Sequence, residues 1–365
     1  MRSLLFVVTS FLVTILAWGV YGPVLHWGQL GMSTAGGLAR MRPFVCVGLA
    51  YFAIGVIVPT VLLKLKGEQG DWTVRGIVFS LAGGALGAVG ALGIILAFNF
   101  GGEPVYVMPL VFGGAPVVNS FLTITLTRRM KEIGPIFIAG LVMVLLGAIT
   151  VLLWSPRAEK ALAAAPAEVV ADSNADAAPA EVQPVESGPV QDFFLQFVSI
   201  TLAIVCWGCY GPVLHKGQAA MHQSRLRPFL CVGLAYFAIA VIVPELWLAG
   251  IPEASAYTFW GTLWSLAAGA AGAIGALGII LAFNFGGRPV YVMPLVFAGA
   301  PVVNTLLTTI LGGLWDEVNA MFLAGLILVI AGAALVLVFA PKGPVGEDAT
   351  AHQQNPKSQI PNPQS

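Results

Sequence analysis

Apolar positions run along this chain in long unbroken stretches, without the alternation of a half-exposed sheet. The stretches fall at roughly 4–21, 43–63, 76–98, 104–126, 134–154, 194–211, 228–249, 258–283, 289–311 and 319–340. At about 1.5 Å of rise per residue, each can cross the roughly 30 Å hydrocarbon core of a bilayer as a helix. A helix satisfies its own backbone polar groups inside lipid. A closed barrel would instead show alternating segments of about ten residues. The pattern therefore predicts an all-α integral membrane protein with ten transmembrane helices. The first stretch follows Arg2 as a signal peptide would, but a near-copy lies in mid-chain at 194–211, so it reads as a retained helix.

Polar segments divide the rest. Residues 156–192 are rich in Ala, Pro, Val and Glu, with seven acidic residues between Glu159 and Asp192. Such a segment cannot bury a core and reads as a flexible external linker. Residues 341–365 read as a disordered cytoplasmic tail. Residues 1–155 and 193–340 hold five stretches each.

Composition agrees. The chain of 365 residues is 58% hydrophobic and only 9% charged, with mean hydropathy +0.89, where a soluble domain has about 25% charged residues. This excludes a soluble enzyme, a secreted disulfide scaffold and a disordered protein. Net charge is zero, so a nucleic-acid partner has no electrostatic support. The partners expected are a small-molecule solute and the lipid bilayer, with a homodimer compatible; no cofactor or metal is expected. Lys and Arg split unevenly across the ten crossings. One side holds thirteen, including Lys64, Lys66, Arg75, Lys216, Arg225 and Arg227; the other holds Arg40, Arg42, Arg157 and Lys160. The positive-inside rule then puts both termini in the cytoplasm, in a cytoplasmic (inner) membrane.

The chain is also one unit written twice. Residues 90–119 and 275–304 agree at 28 of 30 positions, with Glu103/Arg288 and Gly113/Ala298 as the exceptions. Trp18-Gly19-Val20-Tyr21-Gly22-Pro23-Val24-Leu25-His26 matches Trp207-Gly208-Cys209-Tyr210-Gly211-Pro212-Val213-Leu214-His215, and Arg42 through Phe52 matches Arg227 through Phe237. Five crossings per copy make the second copy enter from the opposite side. Inverted repeats are the architecture of many secondary transporters, which bind solute at the repeat interface near the midplane.

With these residues in view, the chain resembles the drug/metabolite transporter superfamily, as an EamA-like ten-helix permease. Trp18-Gly19 and Trp207-Gly208 resemble the opening Trp-Gly of that family, and His26 and His215 fall where many members carry a basic residue. Pro116 and Pro301 resemble its fourth-helix proline. Glu132 and Glu317 follow in a short loop as its Gly-Glu does, although neither is directly preceded by Gly. Gly140, Gly147, Gly325 and Gly332 resemble glycines of its closing helix. Tyr21-Gly22-Pro23 resembles the helix-one end of its sugar and ureide branches. The resemblance implies a permease for small metabolites without choosing one.

Candidate site residues follow from the nearly unchanged segments. Pro109, Pro116, Pro294 and Pro301 free the carbonyls of Val105, Phe112, Val290 and Phe297, which inside lipid need a cavity or a partner. Asn119, Asn304, Tyr106 and Tyr291 flank those breaks and suit neutral polar solutes, or else tie helices together. Asn99 and Asn284 end their stretches in Phe-Asn-Phe-Gly-Gly, and either bind or cap. Trp18, Trp207, Tyr21 and Tyr210 either stack on a ring-shaped solute or anchor at the interface. Glu103, Arg288, His26 and His215 are candidates for gating or coupling. Gly84, Gly87, Gly90 and Gly93, with Gly269, Gly272, Gly275 and Gly278, read as sliding surfaces. No catalytic set appears within the stretches, so an enzyme is not expected. A channel-like facilitator and a non-transporting scaffold or receptor stand as rivals to the transporter.

Overall fold

The computed structural model describes residues 2–34, 37–126, 133–154, 189–222, 224–251, 253–285 and 289–339. The acidic linker up to residue 188, the tail, Glu132 and Arg288 lie outside the described residues. Within them the chain is helical apart from short connections and one isolated bridge between Ser33 and Ser255. The helices are α1 (Arg2–Met32), α2 (Met41–Phe52), α3 (Val58–Lys66), α4 (Val74–Asn99), α5 (Pro104–Leu126), α6 (Pro135–Leu153), α7 (Pro189–Ala220), α8 (Leu226–Phe237), α9 (Val243–Gly250), α10 (Phe259–Asn284), α11 (Pro289–Leu311) and α12 (Ala320–Phe339). Seven continuous helical stretches among the described residues are long and apolar enough to cross a membrane, from Leu5–Met32 to Phe259–Asn284. Three shorter apolar helices accompany them, at Pro135–Val151, Leu295–Leu311 and Ala320–Val336. This is the make-up of a multi-pass membrane protein.

Local chemistry explains the boundaries. Thr73 accepts from the N–H of Gly76 at 3.0 Å to start α4, and Thr258 does the same for Gly261 at the start of α10. Helix α4 ends where Gly101 takes φ +84°. There Gly102 N–H donates to Ala97 and Gly101 N–H to Phe98, a Schellman closure. Helices α1 and α7 run about ten residues beyond the apolar stretches that announced them, because Leu25 and Gln29 (and Leu214 and Gln218) are carried inside the bundle. Helix α5 also continues through Pro109 and Pro116.

One unit spans residues 41–66, where α2 passes into α3 through a π-turn at Ala53–Ile57. Its twin spans 226–250, where α8 passes into α9 through a π-turn at Ala238–Ile242. Both π-turns stand just before a proline, Pro59 or Pro244, whose ring would clash with the carbonyl four residues earlier; widening the turn relieves it. The two units cross antiparallel and very close. A Cβ on Gly55 would lie 3.1 Å from the Gly233 Cα, and one on Gly48 would lie 2.8 Å from the Ala240 Cβ.

A buried glutamate clamps each end of this crossing. Glu68, with a side chain 7% exposed, sits at the N-terminus of α8. It accepts from Ser224 Oγ at 2.6 Å and from the N–H groups of Arg225 and Leu226 at 2.9 and 3.1 Å. The guanidinium groups of Arg225 and Arg227 approach it to 3.0 and 3.7 Å. Glu253, 9% exposed, sits likewise at the N-terminus of α2. It accepts from the N–H groups of Arg40 and Met41 at 2.7 and 3.1 Å, and Arg40 Nε lies 3.5 Å away. Arg42 donates to the Glu253 carbonyl and to Ser255 Oγ. Negative charge is favoured at a helix N-terminus, where backbone N–H groups lack partners.

Burial alone would raise the Glu68 carboxyl, but the hydrogen bonds from Ser224, Arg225 and Leu226 outweigh it and hold it below the usual carboxylate range. Its stabilisation is therefore present above the ordinary value of about 4.3 and is lost as pH falls through the lowered one. Glu68→Gln should lower stability by about 1–3 kcal/mol at pH 7. The measurement is thermal unfolding of the purified protein across pH. The gap to the unsubstituted protein should close once the medium is acid enough to protonate Glu68; a gap of constant size would refute the assignment.

Candidate functional site

Between the two clamps, where the antiparallel units cross, lies a partly enclosed cavity. Its wall is Trp18, Tyr21, Tyr51, Gly87, Trp207, Tyr210, Tyr236, Gly272, Ala276 and Phe297, around an empty volume of about 570 Å³ that includes its open edge. Most of the wall comes in twins. Trp18 and Tyr21 on α1 repeat as Trp207 and Tyr210 on α7. Tyr51 on α2 repeats as Tyr236 on α8, and Gly87 on α4 repeats as Gly272 on α10.

The rings are held in matched ways. Trp18 Nε1 donates to the Gly272 carbonyl at 3.2 Å, and Trp207 Nε1 donates to the Gly87 carbonyl at the same distance. The two indoles are nearly parallel, at 22°, with centroids 6.5 Å apart. Tyr51 and Tyr236 lie face to face at 3.5 Å and 2°. Tyr21 meets Trp207 edge-on at 6.0 Å. Phe297 lines the wall, and Phe112 packs on Phe297 and Trp207 at 6.3 and 5.9 Å. Those are two of the residues whose carbonyls the interior prolines free.

Glycines make room for the rings. A Cβ on Gly87 would stand 2.9 Å from Tyr236 Cε2, and one on Gly272 the same from Tyr51 Cε2. A Cβ on Gly90 would collide with the Trp207 indole, and one on Gly275 with Trp18. These regular glycines of α4 and α10 are therefore seats for aromatic side chains. Gly84 and Gly269 instead let the backbones of Val232 and Val47 approach. This is a different use from the sliding surface expected of them.

Tyr21 and Tyr210 are 4% and 8% exposed, and both hydroxyls are buried without a hydrogen-bond partner. The wall holds no charged side chain.

Of the residues singled out in the sequence, the structure brings together Trp18, Trp207, Tyr21 and Tyr210. The other described binding, gating and coupling candidates do not line the cavity. Asn304 is fully buried; its Nδ2 donates to the Pro104 carbonyl at 2.8 Å, tying α11 to the start of α5, while its Oδ1 faces Gly22. Tyr106 donates to the Gly101 carbonyl at 3.0 Å and accepts from Gln196 at 2.7 Å. Asn99 donates to the Leu38 carbonyl at 2.6 Å. Asn119 is half-buried on α5, and Asn284 is the last residue of α10. Glu103 stands at the N-cap of α5, its carbonyl accepting from Val107 N–H. His26 lies edge-on to Phe98 at 5.3 Å, and His215 is exposed near Phe283. The side chain of Tyr291 lies outside the described residues. Cys206 and Cys209 are free thiols.

Two pairs were not among the candidate site residues, although Tyr51 and Tyr236 lie in a matched segment. Tyr51/Tyr236 and Glu68/Glu253 are each 185 residues apart, the same offset that aligns 90–119 with 275–304. A glutamate kept at that offset in two otherwise dissimilar loops was the available signal.

The chain is similar to a solved crystal structure at a TM-score of 0.55 and 16% sequence identity, over 92% of this chain and 97% of that one. At that identity the likeness concerns the fold alone. No family model matches the chain, and no curated protein matches it.

Gly90→Ala and Gly275→Ala should each displace an indole from its seat. The expected cost is about 1–3 kcal/mol of stability, from overpacking, with a red shift of tryptophan emission as the ring meets water. Unchanged emission and unchanged melting would show that the seats are not tight.

Proposed function

We propose that the protein is a secondary transporter that moves a small polar or amphipathic metabolite across the cytoplasmic membrane by alternating access. In this proposal the seven long helical stretches and the three shorter helices make ten crossings. They form two inverted five-helix repeats of the drug/metabolite transporter kind, with both termini cytoplasmic. Repeats of that sort bind solute at their interface and exchange conformations around it.

The observation that carries the proposal is the pairing at the cavity. Nearly every wall residue has a twin from the other copy, and the crossing that brings in Tyr51 and Tyr236 is clamped once at each end. Releasing the Glu68 clamp would part the helices on the cytoplasmic side while the Glu253 clamp keeps the outer side shut. Releasing the Glu253 clamp would do the reverse. The wall supplies rings, glycines and hydroxyls, which suit binding and release of a solute. It supplies no acid of the kind that usually couples transport to protons or sodium, so exchange or movement down a gradient fits it best.

Proteoliposomes should show saturable uptake of the true solute and counterflow against a preloaded interior. Flux that rises without saturation or counterflow would mark a channel-like facilitator. Absence of flux for every solute that binds would leave a scaffold or receptor. Topology is checked by thiol labelling in intact cells. Thr34→Cys and Ala254→Cys should react with an impermeant reagent from outside, and Gln69→Cys and Ala219→Cys only after permeabilisation. Labelling of all four from one side would overturn the inverted arrangement.

The clamps give a further prediction. In a background carrying Ala276→Cys within the cavity wall, Glu68→Gln should speed modification from the cytoplasmic side several-fold. Glu253→Gln should speed it from outside. Equal effects on both sides would refute the gate assignment.

A further inference from the structure

We infer that the central cavity takes an uncharged, flat, ring-bearing solute with at least two hydrogen-bonding groups on its edge; a nitrogen heterocycle of the nucleobase type is the chemical class. The inference rests on the transporter proposal for its purpose, but its test measures binding and stands apart from flux.

Charge is decided first. The wall carries no carboxylate, guanidinium or ammonium group. An ion taken out of water without a partner loses its solvation. A cation over an indole face recovers only a part of that loss, too little to compensate. An anion fares worse, because ring faces carry the negative part of the quadrupole. A neutral solute meets neither penalty.

Shape comes next. Two carbon surfaces in contact sit about 3.5 Å apart, so a ring held between two others needs roughly 7 Å from one outer ring to the other. The Trp18 and Trp207 centroids are 6.5 Å apart and their planes nearly parallel. A flat ring fits that spacing with little movement, and a puckered aliphatic ring does not. Close by, Tyr51 and Tyr236 form a full face-to-face sandwich at 3.5 Å, the arrangement two ring quadrupoles favour least. Exchanging that contact for one with an electron-poor heterocycle is favourable, so the tyrosine stack is a contact that a solute can displace.

Hydrogen bonding sets the edges. The Tyr21 and Tyr210 hydroxyls are buried, unpartnered and part of the wall. A buried hydroxyl left without a partner carries the full penalty of its lost hydration, which a solute can relieve. The two come from twin positions on two different helices, α1 and α7, so a solute that satisfies both must present two polar atoms. The indole N–H groups already donate to Gly272 and Gly87, so the tyrosines carry the specificity.

The test uses the purified full-length chain in detergent, with thermal shift and quenching of tryptophan emission. The probes are adenine, uracil, nicotinamide and 2-naphthol as flat neutral rings, with tetraethylammonium as cation, benzoate as anion and cyclohexanol as non-planar ring. At least one heterocycle should raise the melting point and quench emission, and it should exceed 2-naphthol, which has one hydrogen-bonding group. Tetraethylammonium, benzoate and cyclohexanol should do neither. Tyr21→Phe and Tyr210→Phe, which keep the rings, should each weaken binding about tenfold. Trp18→Leu and Trp207→Leu should abolish it. If the tryptophan variants do not fold, the Tyr→Phe pair still decides. Binding of the cation or anion as strong as that of the heterocycles, no binding by any flat ring, or binding indifferent to both Tyr→Phe changes would each overturn the inference. Ring binding without counterflow in proteoliposomes would sink the transporter proposal and leave this one standing; counterflow of a non-ring solute without ring binding would do the opposite.

Discussion

Two buried glutamates set the geometry on which the rest depends. Glu68 and Glu253 each leave one antiparallel unit and fill the unpartnered N-terminus of the other. Each therefore does two things at once. It satisfies backbone N–H groups that have no partner within their helix, and it fixes how far the two units can slide past each other. With both ends fixed, the middle of the crossing is fixed too. Gly48, Gly55 and Gly233 then let the backbones close up, which brings Tyr51 and Tyr236 face to face. The cavity is a consequence of that clamped crossing.

The aromatic wall depends on the same economy of space. An indole and a phenol can lie flat against a helix only where the helix offers no Cβ, and Gly87, Gly90, Gly272 and Gly275 offer none. Gly87 and Gly272 also present the carbonyls to which the Trp207 and Trp18 N–H groups donate. One stretch of helix thus supplies both the seat and the tether of a ring. A substitution there disturbs shape and hydrogen bonding together. This accounts for the glycines that α4 and α10 share at those positions, while α6 and α12, which meet through Gly140 and Gly332, have drifted within an apolar alphabet.

Most of the helical layout was legible in the chain, because apolarity and length are what a bilayer selects and both are written locally. The apolar stretches agree with the described helices to within about three residues, except on α1 and α7. There the continuation through His26 and Gln29 is stabilised by contacts such as Gln29 with the Ala39 and Ile95 carbonyls, which come from distant parts of the sequence. The site was half legible. Trp18, Tyr21 and their twins stood out as aromatics in a repeated motif. The asparagines drew attention because amides are rare in apolar surroundings, but Asn304 and Asn99 spend their donors on the carbonyls of Pro104 and Leu38. Polarity inside a helix marks a need for a partner and does not say whether that partner is a solute or the chain itself. Tyr51 and Tyr236 lay inside a matched segment without being singled out, and Glu68 carried no local peculiarity beyond its shared offset with Glu253.

The two clamps are alike in plan and unequal in strength, and the inequality bears on how the proposed transporter would rest. Glu68 has two guanidinium groups within 4.0 Å, that of Arg225 at 3.0 Å and 39% exposed and that of Arg227 at 3.7 Å and 12% exposed. Among the described residues Glu253 has one, on Arg40, at 3.5 Å and 46% exposed. Exposed ion pairs contribute little, whereas charge-assisted hydrogen bonds shielded from water contribute roughly twice a neutral one. Ser224 also stands with Arg225 on the α8 side and donates across to Glu68, while Ser255 belongs to the same loop as Glu253, so its bond to that carboxylate does not cross the joint. The Glu68 end is therefore the firmer of the two. A transporter whose gates differ in this way opens first at the weaker one, so the solute-free protein would present its cavity on the Glu253 side, and the solute would have to supply the free energy that loosens Glu68.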